Sequence, residues 1–397
     1  MEEIRGQVKE DKVELFVSGR IDSTNAAAAG EEFDRILEGV TPRPLYIDAS
    51  ELEYISSAGL RLILRLRKSF EDITITGTSS EIYEILDMTG FTQMMTVEKA
   101  YKVVSIEGCE VIGRGANGTV YRIDGDNVVK VYNNPDALDE IQHEREVARL
   151  AMILGVPTAI SYDVVRCGKS YGVVYELLNA KTVAQIMDSD RSRVGEMGRK
   201  SAGLLKQLHE IRMDPGALPD RKAEFLAWLP NVAPILEPAE VDEIRAFIES
   251  VPDRDTFLHG DFNSKNIMVQ DDGEFVLIDI GDAALGHPVF DVAGMILPYV
   301  FLTRSQYPEE EKHRLMGFCV EDGPKMWEAI CGAYFGASDA GEVQRITGEL
   351  MPFAQLMSSY QGTRRCGFDR DYMTRVSLLG IRQRLLPLIR SARPLDW

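Results

Sequence analysis

Several things are scarce in this chain. The opening residues, Met1-Glu2-Glu3-Ile4-Arg5, lack the apolar core of a secretory signal, and a cytoplasmic location is expected. No apolar run is long enough to span a bilayer; the longest, Ala293 to Leu302, contains Pro298 and is expected as a buried helix. Only five cysteines occur (Cys109, Cys167, Cys319, Cys331 and Cys366), an odd number without disulfide or metal-ligand spacing, which suits free thiols in a reducing compartment. Positive charge is the scarcer sign: 44 Lys and Arg face 63 Asp and Glu, a net charge of -19. Nucleic acid and membrane surfaces are themselves negative, so neither is expected as a partner. A cationic ligand is permitted, although solubility alone also accounts for the acidity. Internal repeats and low-complexity stretches are absent.

What is present is ample core-forming material. Of 397 residues, 45% are hydrophobic, which is enough for two domains. The first hundred residues alternate strand and helix. Ile4 to Val8 and Val13 to Val17 read as a hairpin, and Ala26 to Leu37 as a helix closed by Gly39. A buried strand at Leu45-Tyr46-Ile47, a helix from about Ser57 to Lys68, a strand Ile73 to Thr76 and a short helix Glu81 to Met88 complete an α/β unit over residues 1–98. Strands then dominate from Tyr101 to Tyr132. A helix is expected from about Leu138 to Ile153, and strands at Ala159 to Arg166 and Tyr171 to Leu177. Beyond Asn179 the pattern is mostly helical, apart from Ile267 to Val269 and Phe275 to Ile280. A second domain over 107–397 is expected, with a strand-rich lobe at about 107–178 and a helical lobe at about 179–397.

Four motifs of this second domain ask for phosphate chemistry. Gly113-Arg114-Gly115-Ala116-Asn117-Gly118 lies between two strands, where Gly113, Gly115 and Gly118 would let backbone amides approach phosphate oxygens. A tight hairpin turn is the plainer alternative. Lys130 sits in the apolar strand Val128-Val129-Lys130-Val131, where its ammonium would meet an anion, nucleotide phosphate or a carboxylate of the next helix, with an edge-strand lysine reaching solvent as the alternative. Glu146 is the better candidate partner there, with Leu150 one turn on to pack inward, and Glu144 is the alternative. The third motif is Leu258-His259-Gly260-Asp261-Phe262-Asn263-Ser264-Lys265-Asn266-Ile267. Its Asp261 is placed to accept a hydroxyl proton, and Asn266 to bind a divalent ion. The fourth, Ile278-Asp279-Ile280-Gly281, ends a strand on a second Mg²⁺ ligand, Asp279.

His259-Gly260-Asp261 through Asn266, then Asp279 and Asp282-Ala283-Ala284-Leu285-Gly286-His287-Pro288-Val289-Phe290-Asp291, resemble the signature of the aminoglycoside phosphotransferase and choline kinase family. The helix Ala202 to His209 is similar to that family's long helix before the catalytic loop. The resemblance implies a bilobal, protein-kinase-like fold and an ATP- and Mg²⁺-dependent transfer of the γ-phosphate to an alcohol. It implies that His259 and Asp291 brace the catalytic loop, and that adenine lies against the backbone of Glu176-Leu177-Leu178 with Tyr175 behind it. Lys130, Glu146, Asp261, Asn266 and Asp279 would supply turnover. Only residues 280–290, eleven positions, separate Asp279 from Asp291, which leaves no room for a protein-kinase activation segment. A small hydroxylated acceptor is therefore expected, and the acids and aromatics of the helical lobe, among them Glu309, Glu342, Trp228, Trp327, Tyr334 and Tyr360, would suit a cationic one. Core aromatics and surface acids are the other reading of those residues.

The first domain carries its own resemblance. Asp48-Ala49-Ser50-Glu51-Leu52-Glu53-Tyr54-Ile55-Ser56-Ser57-Ala58-Gly59-Leu60-Arg61, with Val17-Ser18-Gly19-Arg20-Ile21-Asp22, resembles the STAS domain of anti-sigma-factor antagonists in bacterial partner switching. The resemblance implies phosphorylation of Ser57 by a partner anti-sigma factor acting as a serine kinase. A phosphate at a helix start meets free amides and the positive dipole end. Ser56 and Ser57 also fit ordinary helix caps. Two functions stand beside a metabolite kinase: a partner-switching protein whose kinase domain senses nucleotide or ligand, and a protein serine kinase.

Overall fold

The computed structural model describes residues 4–115, 117–365 and 379–395; Ala116 and Cys366 lie outside them. The chain divides into two compact units, Met1–Glu107 with Val164–Gly172, and Gly108–Asp163 with Val173–Trp397.

In the first unit β1 (Ile4–Val8) and β2 (Val13–Ile21) form an antiparallel hairpin. They are followed by α1 (Ala26–Leu37), β3 (Leu45–Ile55), α2 (Ser57–Ser69), β4 (Ile73–Thr78), α3 (Ser80–Met88) and β5 (Thr96–Lys99). The five-stranded sheet has the order β1-β2-β3-β4-β5, parallel from β2 onward. Parallel neighbours need crossovers, which is the part the three helices play. Alternation in β2 sends Val13, Leu15 and Val17 inward, where they join Leu45, Ile47, Ile73 and Ile75 from the sheet and Phe33, Ile63, Leu66, Ile82 and Leu86 from the helices. Each such side chain contributes roughly 1.5–3 kcal/mol on burial. A one-residue slip of β2 would turn these three core residues to the other face, so the core fixes the register. Ser56 caps α2, its hydroxyl accepting from the Ala58 amide at 3.2 Å, and Ser57 is the exposed first helical residue. A short strand β6 (Lys102–Val103) pairs in parallel with Val165 and Arg166.

The second unit opens with an antiparallel meander of β7 (Glu110–Arg114), β8 (Gly118–Arg122) and β9 (Asn127–Tyr132). Helix α4 (Leu138–Ile153) follows, then β10 (Ser161–Cys167) and β11 (Ser170–Glu176), with β11 beside β9 in the sheet. The helical part comprises β12 (Ala180–Thr182), α5 (Val183–Ser189), α6 (Val194–Glu210), α7 (Arg221–Val232) and α8 (Pro238–Glu249). It continues through β13 (Thr256–Leu258), β14 (Ile267–Gln270), β15 (Phe275–Leu277) and β16 (Ala284–Gly286) to α9 (Val289–Gly294), α10 (Leu302–Arg304), α11 (Glu309–Met316), α12 (Gly323–Phe335) and α13 (Ala340–Arg365). Trp228, Trp327 and Tyr360 are 4%, 3% and 6% exposed and belong to one apolar core, so of the two readings of these aromatics the structure supports packing. Glu309 is exposed and Glu342 half-buried, and both are engaged locally, with Lys312 and with the Ser338 and Asp339 turn.

The apolar run Ala293–Leu302 is largely buried, but it is not one regular helix. Beyond α9 it widens into a π-helical turn, Leu297–Phe301, at Pro298, which has no amide to continue the α-helical ladder. Among the described residues no helix is long and apolar enough to cross a membrane.

Candidate active site

Two ribbons set the site. The antiparallel pair β14–β15 aligns Ile267 with Leu277, and just beyond that rung the Ile278 amide donates to the Asn266 carbonyl at 3.0 Å. Asn266 and Asp279, distant in sequence, thus emerge side by side. The pair β13–β16 aligns Leu258 with Ala284 and brings the strand before the His259–Asn266 loop against the segment after Asp279.

The strand expected to run to Ile280 ends at Leu277. Asp279 has φ 59°, the one described non-glycine residue with positive φ, and a left-handed residue cannot continue a strand. Such a conformation costs an ordinary side chain about 1–3 kcal/mol and persists where surrounding contacts hold it. One such contact is Lys130, whose ammonium lies 2.9 Å from Asp279 Oδ1.

Lys130 Nζ also donates to both oxygens of Glu144, each at 3.0 Å. This corrects the expectation for Glu146, which is exposed on the other face of α4. The buried face carries Ile141, Glu144, Val147 and Ala151, a spacing of three and four. Counting inward from Leu150, which is only partly buried, puts the helix one step out of phase. Burial alone would lower the Lys130 pKa, but Glu144 and then Asp279 outweigh it and raise it, so the charge is kept.

In the loop from His259 to Asn266, the Asn266 Nδ2 donates to the Asp261 carbonyl at 2.9 Å and to its Oδ2 at 3.1 Å. Asn263 Nδ2 donates to the same carbonyl at 3.0 Å, and its own Oδ1 accepts from the Lys265 amide at 2.9 Å. Lys265 is exposed and reaches the Leu315 carbonyl at 3.4 Å. Asp291, 2% exposed, accepts from the amides of His259 at 2.7 Å and Gly260 at 2.8 Å. His259 is wholly buried, and its Nδ1 accepts from the Asp261 amide at 3.3 Å. Gly260 has φ 84°, and a Cβ there would run into the Asp282 carbonyl oxygen, so no other residue fits.

The glycine-rich loop closes through a Gly115 amide to Gly118 carbonyl bond of 2.9 Å. Its glycines differ in kind. At Gly118 a Cβ would strike the Val131 carbonyl oxygen across the ladder, whereas at Gly113 and Gly115 it would meet only ordinary contacts at 3.7 and 3.8 Å. Glu176 and Ile160 bond each other, the Glu176 amide to the Ile160 carbonyl and the Ile160 amide to Glu176 Oε1. The Leu177 amide donates to Asp126 and the Leu178 carbonyl accepts from Ala180.

Residues outside the four motifs brace these loops. His209 Nε2 lies 3.2 Å from Asp291 Oδ2 and its Nδ1 lies 2.6 Å from the Tyr334 hydroxyl. A carboxylate only accepts, so Nε2 carries the proton, and in the neutral ring Nδ1 receives the Tyr334 hydroxyl. Tyr334, read as a ligand aromatic, is occupied by that bond. Arg221, 3% exposed, donates to the Asp282 carbonyl and pairs with Glu224 at 2.9 Å. The Tyr299 hydroxyl accepts from the Ser264 amide at 3.0 Å, and burial pushes the phenol up to about 12. The helix ending in His209 is the one hint the sequence held for this set; the others are partners from far along the chain.

Residues 108–327 match the model of the phosphotransferase enzyme family, and residues 3–104 match that of the STAS domain. Solved structures similar to this chain include the gentamicin complex of APH(2")-IIa, 17% identical, covering 78% of this chain and 98% of that one, with a TM-score of 0.48. The ADP-bound aminoglycoside phosphotransferase APH(2'')-Ib is 18% identical over 79% of this chain and 97% of its own, with a TM-score of 0.44. A thermostable mutant of APH(4)-Ia, in ternary complex with ADP and hygromycin B, is 13% identical over 71% and 93%, with a TM-score of 0.46. No curated protein matches the chain.

Proposed function

The chain belongs to the phosphotransferase enzyme family, and from that premise we propose that its second unit transfers the γ-phosphate of ATP to the hydroxyl of a small molecule, with the N-terminal STAS domain as a signalling module. The observation that carries the reading is the convergence of Lys130, Glu144 and Asp279 in one ion-paired cluster, with Asp261 and Asn266 bonded to each other and tied to it through Ile278.

In this reading Asp261 takes the proton from the acceptor hydroxyl as it attacks phosphorus, and Lys130 steadies the phosphate oxygens. The Asn266 amide nitrogen is committed to Asp261, so Oδ1 is the atom it offers a cation, beside the carboxylate of Asp279. Among the described residues no cluster of three or more His, Cys, Asp or Glu forms a self-contained metal site. Two oxygen ligands suit Mg²⁺, which keeps waters and phosphate oxygens as its remaining ligands. When bound there, the ion would neutralise charge on the phosphates. Gly113, Gly115 and Gly118 would cover those phosphates, the Glu176–Leu178 backbone would line the adenine, and His259 and Asp291 would hold the loop.

A small acceptor is favoured by the segment after Asp279. It passes directly into β16, pairs with β13 and enters α9, so no peptide-docking segment intervenes. The exposure of Ser57 at the start of α2 suits a phosphate acceptor for a partner kinase, the second role of this chain. One experiment addresses these readings. The full chain and its Ser57→Asp variant are incubated with labelled ATP, Mg²⁺ and a panel of hydroxylated metabolites, cationic ones included. Label is expected in one class of small molecule, at a rate altered by Ser57→Asp. Label on Ser57 itself would replace the metabolite-kinase reading with a protein-kinase one, and equal rates in the two chains would remove the coupling.

A further inference from the structure

Glu144 receives more than its lysine. Its Oε2 accepts the Tyr132 hydroxyl and its Oε1 accepts the Tyr175 hydroxyl at 3.3 Å, in addition to Lys130 at 3.0 Å on both oxygens. The sequence explains the convergence. Tyr132 stands two residues after Lys130 in β9, so the strand period puts both side chains on one face. Tyr175 comes from β11, the strand next to β9. Glu144 descends onto them from the buried face of α4 and is 8% exposed, while Tyr132 is 2% exposed. Burial first, and then the charge of Glu144, raise both phenol pKa values, which keeps both groups as donors.

A buried carboxylate bound only by Lys130 would lose much of its compensation whenever the ammonium turned toward a phosphate. With two further donors it stays satisfied, and moving α4 away would strand the buried Tyr132 hydroxyl and the half-buried Tyr175 hydroxyl. We propose that Tyr132 and Tyr175 are positioning residues: they hold Glu144, and with it α4, in place, so that Lys130 is free to share its charge with the triphosphate. This rests on the phosphotransferase reading of the same site.

Tyr132→Phe and Tyr175→Phe remove the hydroxyls and keep the rings, including the Tyr132 ring that lies 5.0 Å from the Lys130 ammonium. Two readouts on the full chain test the pair. In hydrogen exchange without nucleotide, the double Phe variant is expected to speed exchange in Leu138–Ile153 by roughly tenfold to a hundredfold, with α6 unchanged. In ATP titrations with Mg²⁺, the double variant is expected to weaken affinity by roughly tenfold, and to add no further loss in a Lys130→Met background. A general loss of stability would instead speed exchange everywhere and add to Lys130→Met. Unchanged exchange in α4, or full additivity with Lys130→Met, overturns the proposal. Failure of the unaltered chain to bind ATP would overturn the phosphotransferase reading, and the exchange measurement would then decide on the tyrosines by itself.

Discussion

Asp261→Asn is expected to lower ATP-dependent phosphoryl transfer by roughly 10²–10⁴-fold, the span of general acid–base catalysis, while leaving ATP affinity unchanged. The substitution is nearly isosteric. Its amide oxygen can still accept from Asn266 Nδ2, which lies 3.1 Å from Asp261 Oδ2, and the Asp261 carbonyl keeps its bonds from Asn263 and Asn266. The loop should therefore hold its shape, and what is lost is the ability to take a proton. Steady-state turnover and an ATP titration of the same preparation separate the two effects. Turnover near that of the unaltered chain would move the proton acceptor elsewhere, and a parallel loss of ATP affinity would make Asp261 a structural residue.

The second large effect concerns stability. Asp291→Ala removes one acceptor from three buried donors, the amides of His259 and Gly260 and the His209 imidazole. Stranded donors cost about 1–3 kcal/mol each, against a typical total of about 5–15 kcal/mol. The expected loss is about 3–5 kcal/mol, enough to deplete the folded form, and Asp291→Asn should lose less because it keeps one accepting oxygen. Burial by itself would push the Asp291 carboxyl up, but the His209 bond, the nearby imidazoles and the Gly260 amide hold it below its ordinary value. With the folded pKa depressed, its contribution is complete above the unfolded value of about 3.9 and is lost as pH falls through the folded one. Chemical denaturation should show the stability gap between the unaltered chain and Asp291→Asn constant near neutrality and shrinking below about pH 4. A gap that instead widened on acidification would contradict this sign.

Much of the framework was legible because it is local. Helices α1 and α4 begin and end where apolar spacing and neighbouring turn residues place them, Ala26–Leu37 and Leu138–Ile153. Strand β3 runs on to Ile55, beyond the Ile47 expected, because exposed Asp48, Glu51 and Glu53 interrupt the apolar pattern while the backbone stays paired with β2. The loop motif from His259 to Asn266 was readable as a motif, and the five positions from Asp261 to Asn266 close into a turn that brings their side chains together. Lys130 was readable as needing an anion. Its partner was misplaced by two residues, since helical phase is set by which face α4 buries and not by the nearest apolar residue. Tyr132 was within reach of sequence reasoning, because alternation puts it beside Lys130. The partners of Tyr175, His209, Arg221, Tyr299 and Tyr334 were not, since each is brought near only by folding.

Nucleotide binding that depends on one divalent-ion cluster is the heart of the account, and calorimetric titration of ATP into the full chain with and without Mg²⁺ tests it most directly. Saturable binding at one site per chain is expected with Mg²⁺, weakened when the ion is withheld and weakened equally by Asp279→Asn in its presence. Binding of the same strength in all three titrations, or none in any, would contradict it.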